Sequence, residues 1–215
     1  MSDRSLGIYI PPPQDNYGLA LRMAADELRG TDLEDLCRKS GAAYQPENRA
    51  VEVPFLGHTC RIFLPQITFE PDLPLPEKIV VLHYLLRASG RPLKGRWISF
   101  SHVPGGATYF PAFRRRVIEP FLRHFSGAGD RLVKAARALG GEEFEYGDVG
   151  VVFRVFPKVK VAFVLWEGDE EVPPNANVLF DESVSEYLST EDISELSWRL
   201  VRRMARQEVP FCERR

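Results

Sequence analysis

Among the features of this sequence, two strand-like segments on either side of a proline–lysine pair most strongly limit the folds that the chain can adopt. GVVFRVF and VKVAFVLW flank Pro157-Lys158, so the chain must reverse its direction within a two-residue turn. After Lys160 the second segment is apolar at every position, which is typical of an interior strand that is covered on both faces. The pattern therefore predicts a β-hairpin inside a sheet.

A second hairpin is predicted earlier in the chain, within AVEVPFLGHTCRIFLP. Val51, Val53 and Phe55 alternate, the chain turns at residues 56–58, and residues 61–64 form the return strand. Helical periodicity predicts helices in six other segments: 17–28, 31–41, 77–88, 111–125, 130–139 and 189–207. Because strands cluster in hairpins instead of alternating with helices, the expected fold class is α+β. We expect a mainly antiparallel sheet built from two hairpins, with helices packed on it.

Local residue types predict where two of these helices begin, end or bend. Thr31 is expected to cap the second helix, with Glu34 completing a capping box and Gly41 ending the helix. Pro120 is expected to kink or split its helix at Glu119, because proline has no backbone N–H and restricts the residue before it.

Chain length and one proline cluster predict the domain organisation. A chain of 215 residues suits one domain, and the prolines at 11–13 predict an extended, polyproline II-like beginning. We therefore expect an extended leader over residues 1–15, a single α+β domain over residues 16–207 and a C-terminal tail over residues 208–215.

Composition and charge exclude several classes of protein. The net charge is -2, so a general electrostatic attraction to nucleic acid is not expected. The N-terminus has no apolar signal-peptide core, and no apolar run approaches the roughly 20 residues that cross a bilayer. Cys37, Cys60 and Cys212 form no C-x-x-C pair, so we expect neither an iron–sulfur cluster nor a structural zinc held by this chain alone. The expected location is the cytoplasm.

The acidic segment after the later hairpin is the first candidate site. FVLWEGDEEVPP places four acidic residues among the five that follow Trp166. One interpretation is a solvated acidic turn. The other requires Asp169, with Glu170 or Glu171, to turn inward beside the tryptophan. There the carboxylates would bind a cation, pair with a buried arginine or act as an acid/base pair.

The loop SFSHVPGGATYFPAFRRR is the second candidate site. Glycines let a backbone approach a ligand closely, and a helix start beside arginines favours an anion. The ligand-binding residues expected here are His102, Gly105, Gly106, Tyr109 and Arg115. The alternative is an ordinary turn followed by a solvated basic helix face. The segment is neither a Walker loop nor a dinucleotide-binding fingerprint.

The four histidines have no spacing typical of a metal site, and no nucleophile elbow is present. His83 shares a predicted helix face with Ile79 and Val80, which favours a core histidine, and His58 is expected to face solvent. A metal-tetrapyrrole needs only one axial histidine in an aromatic cavity, so a corrinoid or haem stays open as a cofactor. The position of Cys37 on a predicted helix indicates packing.

Three segments carry a family resemblance: LHYLLRASGRPLKGRWISFSHVPGGATYFPAF, then ALGG, then the order LWEGDEE…LFD…YL.TED. On these segments the chain, over about residues 16–193, resembles the DUF3786 family of uncharacterised proteins. The resemblance implies a metabolic context but no particular reaction. Members of the family come largely from anaerobic bacteria and archaea. Some carry a fused iron–sulfur domain of the corrinoid iron–sulfur type, whose cysteine cluster this chain lacks. The resemblance strengthens the functional interpretation of Asp169 and Glu170.

Three functions stay open. The first is a binding or accessory protein for a cofactor or metabolite of anaerobic metabolism, including a metal-tetrapyrrole, with an iron–sulfur or corrinoid protein as partner. Its site would lie where the acidic strand end, the Gly105-Gly106 loop and the arginine helix converge. The second is an enzyme that uses Asp169 with Glu170 or Glu171 as acid/base groups or metal ligands. The third is a protein-interaction module with an apolar patch beside the arginines of the C-terminal helix.

Overall fold

The computed structural model describes residues 16–207, which form seven α-helices and nine β-strands. The helices are α1 (Tyr17–Arg29), α2 (Leu33–Ser40), α3 (Leu75–Arg87), α4 (Gly106–Phe113), α5 (Glu119–Phe125), α6 (Gly129–Arg137) and α7 (Thr190–Gln207). The strands are β1 (Ala43–Gln45), β2 (Ala50–Phe55), β3 (His58–Phe63), β4 (Thr68–Glu70), β5 (Trp97–Ser99), β6 (Glu142–Glu143), β7 (Val149–Phe156), β8 (Val159–Trp166) and β9 (Asn175–Asp181). The expected leader and tail, residues 1–15 and 208–215, lie outside the described residues.

The strands form two antiparallel sheets instead of the single sheet expected from the sequence. The first sheet has the order β1-β2-β3-β4 and contains the earlier hairpin, and the second has the order β5-β9-β8-β7-β6. β7 and β8 pair around Pro157-Lys158 as predicted, and β8 is the middle strand of its sheet. The α+β class is confirmed. The number of sheets differs because each hairpin pairs with its own flanking strands and not with the other hairpin.

The two sheets share one hydrophobic core where their hairpins meet. The N–H of Leu56, in the β2–β3 turn, donates to the carbonyl of Val155 in β7 at 3.0 Å. Phe55 stacks on Phe156 with ring centroids 5.0 Å apart, and Phe156 stacks on Tyr84 of α3 at 4.0 Å. Most of α3 is buried in this core, as its almost continuous apolar sequence predicts.

Helices α4, α5 and α6 pack on one face of the second sheet, whereas α1 and α2 pack against α3. Phe121 of α5 contacts Phe163 of β8 with centroids 5.2 Å apart, and Phe113 of α4 contacts Phe180 of β9 at 6.5 Å. Successive side chains of a strand point to opposite faces. The intervening residues of β8 and β9 therefore face away from the helices.

Two predicted helix boundaries are confirmed and one is wrong. Gly41 follows α2 in the left-handed conformation, with a φ of 75°. The chain passes through a π-helical turn at residues 114–118, and α5 begins at Glu119, directly before Pro120. The amino-terminal cap of α2 is Asp32, whose carboxylate accepts two backbone N–H groups of the first turn. The predicted cap, Thr31, instead donates its hydroxyl hydrogen to a carbonyl of α1.

Candidate functional site

A capping box between Ser189 and Asp192 holds the amino-terminal end of α7. The Asp192 N–H donates to Ser189 Oγ at 3.2 Å, and the Ser189 hydroxyl and N–H donate to Asp192 Oδ2 at 2.5 and 3.2 Å. Ser189 is therefore the amino-terminal cap of α7. Because Asp192 is buried, its second oxygen needs a partner from another element.

That partner is His83 on α3. Its Nδ1 lies 2.7 Å from Asp192 Oδ1, so Ser189, Asp192 and His83 form one hydrogen-bonded chain, which we call the His83 relay. The hydrogen bond with Asp192 raises the pKa of His83, although burial opposes this. The side chain is 34% exposed, and within residues 16–207 its Nε2 has no hydrogen-bond partner. The relay thus fixes one ring nitrogen and leaves the other available to a proton or a ligand.

Two cavities meet at this end of α7 and form what we call the α7 groove. The first has a volume of about 260 Å³ and is lined by the His83 relay with residues of α1 and α3. The second has a volume of about 510 Å³ and is lined by residues of α4, α7 and the segments beside them. Ser189 and Glu191 border both cavities, which places the two side by side at the start of α7. The larger volume lies within the range of small-molecule pockets, roughly 300–1,000 Å³.

The larger cavity lies beside two stacked rings of the core, an exposed tyrosine and a half-buried arginine. Phe100 and Phe113 stack with centroids 3.9 Å apart, and Tyr109, which is 63% exposed, lines the same cavity. Arg116, from the π-helical turn, also lines it and pairs with the buried carboxylate of Glu195 on α7. The Nε of Arg116 is buried without a hydrogen-bond partner in the described chain. Buried unpaired donors are uncommon, so this one N–H of the guanidinium stands out beside the hydrogen bond to Glu195.

Positive charge collects along the rim of the groove. A third cavity of about 420 Å³ adjoins the second through Ala112 and Arg116, and Arg115 and Arg123 line it. The amino-terminal end of α7 adds the positive end of an 18-residue helix dipole. These positive charges favour the binding of an anionic group. The carboxylate of Glu191, at the border of the two main cavities, opposes it.

The structure brings two of the predicted loop residues to this groove. Tyr109 lines the larger cavity, and Arg115 lies on the rim. Gly105 and Gly106 have structural roles: Gly105 has a φ of 73°, and a Cβ on Gly106 would lie 1.9 Å from a backbone carbonyl oxygen. His102 is exposed, and its Nδ1 is hydrogen-bonded to a neighbouring serine at 2.8 Å.

The acidic segment forms a turn at the surface, which differs from the inward arrangement that its functional interpretation requires. Asp169, Glu170 and Glu171 are exposed. The Asp169 carboxylate accepts the N–H groups of Val172 and Glu171, both at 2.8 Å, and these bonds lower the pKa of Asp169. An acid/base pair needs a carboxyl group whose pKa is raised, so this direction opposes that role. Neither cavity of the α7 groove is lined by these residues or by Trp166.

Two arginines of α7 pair within the molecule. Arg199 donates to Glu195 at 2.6 Å, and Arg203 donates to Glu77 of α3 at 2.5 Å. Both carboxylates are buried. Arg203 therefore fastens α7 to α3, whereas Arg199 pairs within α7 with the carboxylate that also binds Arg116.

The sequence analysis considered His83 by itself and did not connect it with Ser189 or Asp192. The S-x-x-D spacing at residues 189–192 is a signal for a capping box. Its bond to His83 joins residues 109 positions apart, and it depends on how α3 crosses the end of α7. The contributions of Arg116 and Glu195 were missed for the same reason, because no local pattern links their helices.

One comparison decides the relationship of the chain to other proteins. A model described as a domain of unknown function, DUF3786, matches residues 32–203 of the 215-residue chain. The chain belongs to the DUF3786 family. The DUF3786 match includes the whole His83 relay, whereas α1 lies before it. Comparisons with curated proteins and with solved structures gave no match.

Metal clusters and reactive thiols are not seen in the described part of the DUF3786 chain. Among residues 16–207, no group of three or more His, Cys, Asp or Glu side chains is arranged to hold a metal ion. Burial raises the pKa of Cys37 to about 11 and, with Glu77 adding to the effect, that of Cys60 to about 12. Neither thiol is therefore a ready nucleophile. The same residues contain no helix that is long and apolar enough to cross a bilayer.

The His83 relay predicts a pH-dependent stability. The folded-state pKa of His83 is raised by Asp192 and, less strongly, by Glu191, while Arg87 opposes the shift. The stabilisation is therefore complete below the unfolded-state pKa of about 6.5 and is lost as the pH rises through the folded-state value. His83→Gln should lower the free energy of unfolding by roughly 0.5–1 kcal/mol more at about pH 5.5 than at about pH 8.5. Urea unfolding measures this, and the exposed His58→Gln should show no such difference.

Proposed function

We propose that this DUF3786 protein is a cytoplasmic binding protein whose ligand lies in the α7 groove. The ligand would be a small anionic cofactor or metabolite with a flat apolar part. The main support is the 510 Å³ cavity, which combines Phe100, Tyr109 and Phe113 with Arg116 and the amino-terminal end of α7. Aromatic rings favour a flat apolar group. The guanidinium and the helix end favour a carboxylate or a phosphate.

A metal-tetrapyrrole, either a corrinoid or haem, belongs among the first ligands to test, because some members of the resembled family carry a fused domain of the corrinoid iron–sulfur type. His83 fits the requirements of an axial ligand, since Asp192 holds Nδ1 and leaves Nε2 for a metal. The cavity beside His83 has a volume of about 260 Å³, so a macrocycle would have to extend along the groove. Such a cofactor would supply metal-centred chemistry, and this chain would hold it for an iron–sulfur or corrinoid protein partner.

Thermal unfolding with added ligands tests the proposal. The panel is haemin, hydroxocobalamin, flavin mononucleotide and adenosine monophosphate. At least one member should raise the melting temperature, because a ligand at about 100 times its Kd stabilises the folded state by about 2.7 kcal/mol. No shift with any member would contradict the proposal.

Two exposed tyrosines provide a matched pair of variants for any ligand that binds. Tyr109 lines the larger cavity and is 63% exposed, whereas Tyr146 is 53% exposed and does not line the groove. Neither substitution by alanine should disturb the core. Tyr109→Ala should weaken binding about fivefold or more, and Tyr146→Ala should leave it unchanged. Equal affinities for both variants would place the ligand elsewhere.

The His83 relay supports a second candidate function, an enzyme in which His83 acts as general base on a hydroxyl group or water. His83, oriented by Asp192, would then take the role that the sequence assigned to Asp169, Glu170 and Glu171. Mass spectrometry of the bound ligand after incubation distinguishes the two functions. Conversion that His83→Gln abolishes while binding persists supports an enzyme. An unchanged ligand supports a binding protein.

A further inference from the structure

Four aromatic rings cover the face of the second sheet that is turned away from the helices. Trp97, Phe144, Tyr146 and Trp166 form a series with neighbouring centroids 5.0, 6.0 and 6.2 Å apart. Three of them, all but Tyr146, pack on a small buried apolar cluster of β8 and β9. All four rings stay partly exposed, and Tyr146 is exposed over 53% of its surface. We call these four side chains the aromatic face.

Two acidic loops border one end of the aromatic face. Residues 142–148 and residues 167–171 contribute four acidic side chains each, and neither segment contains lysine or arginine. A hydrogen bond of 2.9 Å from the Glu167 N–H to the Asp148 carboxylate joins the loops. Glu143 pairs with Arg137. The two segments together carry eight acidic side chains and no basic one, so this surface is rich in negative charge.

Close packing fixes the first of these loops against the sheet. A Cβ on Gly150 would lie 2.3 Å from the carbonyl oxygen of Phe144, and one on Gly147 would lie 2.5 Å from a methyl group of Val164. Gly147 also has a φ of 73°, which glycine adopts without strain. The backbone of this loop is thus held in place before any partner arrives, which reduces the entropy lost on binding.

We propose that the aromatic face and the acidic loops together bind a basic segment of a partner protein, in which Lys or Arg alternates with apolar side chains. This surface is separate from the α7 groove, so the inference does not depend on the proposed ligand. Trp and Tyr are the side chains that most often dominate binding energy at protein interfaces, and their rings attract cations. The acidic loops select a positively charged partner and speed its association.

Selection of random phage-displayed peptides on the full-length protein tests this proposal. Enriched peptides should contain Lys or Arg beside aromatic or aliphatic residues, and their affinity should fall as salt is added, because salt screens exposed charges. Enrichment of neutral or acidic peptides alone would overturn the proposal. Sedimentation of the protein alone provides a second readout. Salt-sensitive self-association that a selected peptide abolishes would show that the occupant is a second copy, and would also overturn it.

Matched variants locate the peptide. Glu170→Lys with Glu171→Lys should weaken the affinity for a selected peptide about tenfold, and Tyr146→Ala should weaken it by a similar factor. The control Glu27→Lys with Glu47→Lys makes the same charge change at two exposed positions outside the acidic loops and should alter affinity less than about twofold. Tyr109→Ala should have no effect. Equal losses in the two charge variants would mean that net charge alone attracts the peptide, which contradicts a defined surface.

Discussion

Replacing Asp181 with alanine is expected to lower the free energy of unfolding by about 3–5 kcal/mol. Asp181 is 3% exposed, and its carboxylate accepts hydrogen bonds from the N–H groups of Lys94, Gly95 and Ser183 and from the Ser183 hydroxyl. These bonds join the end of β9 to the segment that leads into β5. Without the carboxylate, buried donors from two parts of the chain lose their acceptor.

Equilibrium urea unfolding at neutral pH measures this loss, and Asp169→Ala is its matched control. Asp169 also accepts two backbone N–H groups, but in an exposed turn, so its replacement should cost about 1 kcal/mol or less. Burial alone would raise the pKa of Asp181, but its four hydrogen bonds lower it below the usual value. The contribution of Asp181 is therefore present above about pH 4 and is lost as the pH falls through the lower folded-state pKa. Equal losses in the two variants would contradict this account.

Replacing Gly106 with alanine is expected to cost about 3 kcal/mol or more, because the new methyl group has no space. Its Cβ would lie 1.9 Å from the carbonyl oxygen of Phe100 and 2.7 Å from a methyl group of Val103. Gly106 is the first residue of α4, which carries Tyr109 into the α7 groove. The backbone shift that relieves the collision should therefore also weaken ligand binding.

A substitution at the adjacent residue, Gly105, distinguishes a steric collision from the strain of a left-handed backbone. A Cβ on Gly105 would meet no atom within 4 Å, but the residue has a φ of 73°. Gly105→Ala should therefore cost only about 1–2 kcal/mol, the strain of a left-handed alanine. Urea unfolding of both variants tests the difference. A loss in Gly106→Ala no larger than that in Gly105→Ala would show that the loop can open without cost, and that lack of space does not require glycine at position 106.

The later hairpin shows how far local sequence reasoning extends in this chain. The two-residue turn at Pro157-Lys158 and the apolar sequence of β8 predict both the pairing and the interior position of that strand, because both features arise from neighbouring residues. The number of sheets was not predictable in this way. Whether two hairpins form one sheet or two depends on contacts between distant parts of the chain. In this protein the hairpins meet through the hydrogen bond between Leu56 and Val155 but stay in separate sheets.

The candidate site shows the limit of the same reasoning. Tyr109 and the arginines that follow it were selected because a local pattern, a glycine pair before a basic helix, favours an anion. The His83 relay has no such pattern, since its histidine and its carboxylate lie on different helices. The acidic segment after Trp166 is prominent in the sequence, yet its carboxylates form a surface turn beside the aromatic face. Its charge is therefore better suited to a macromolecular partner than to an enclosed ligand.

The most direct test of the α7 groove is a backbone-amide NMR titration with naphthoate, a minimal flat apolar anion, and with the neutral naphthamide. We predict that naphthoate shifts amides of the residues that line the groove, including Phe100, Tyr109, Ser189 and Glu191, and that naphthamide binds about tenfold more weakly, because a charged hydrogen bond to the guanidinium is lost. Shifts confined to the aromatic face, or equal binding of both compounds, would contradict the existence of an anion-selective groove at the start of α7.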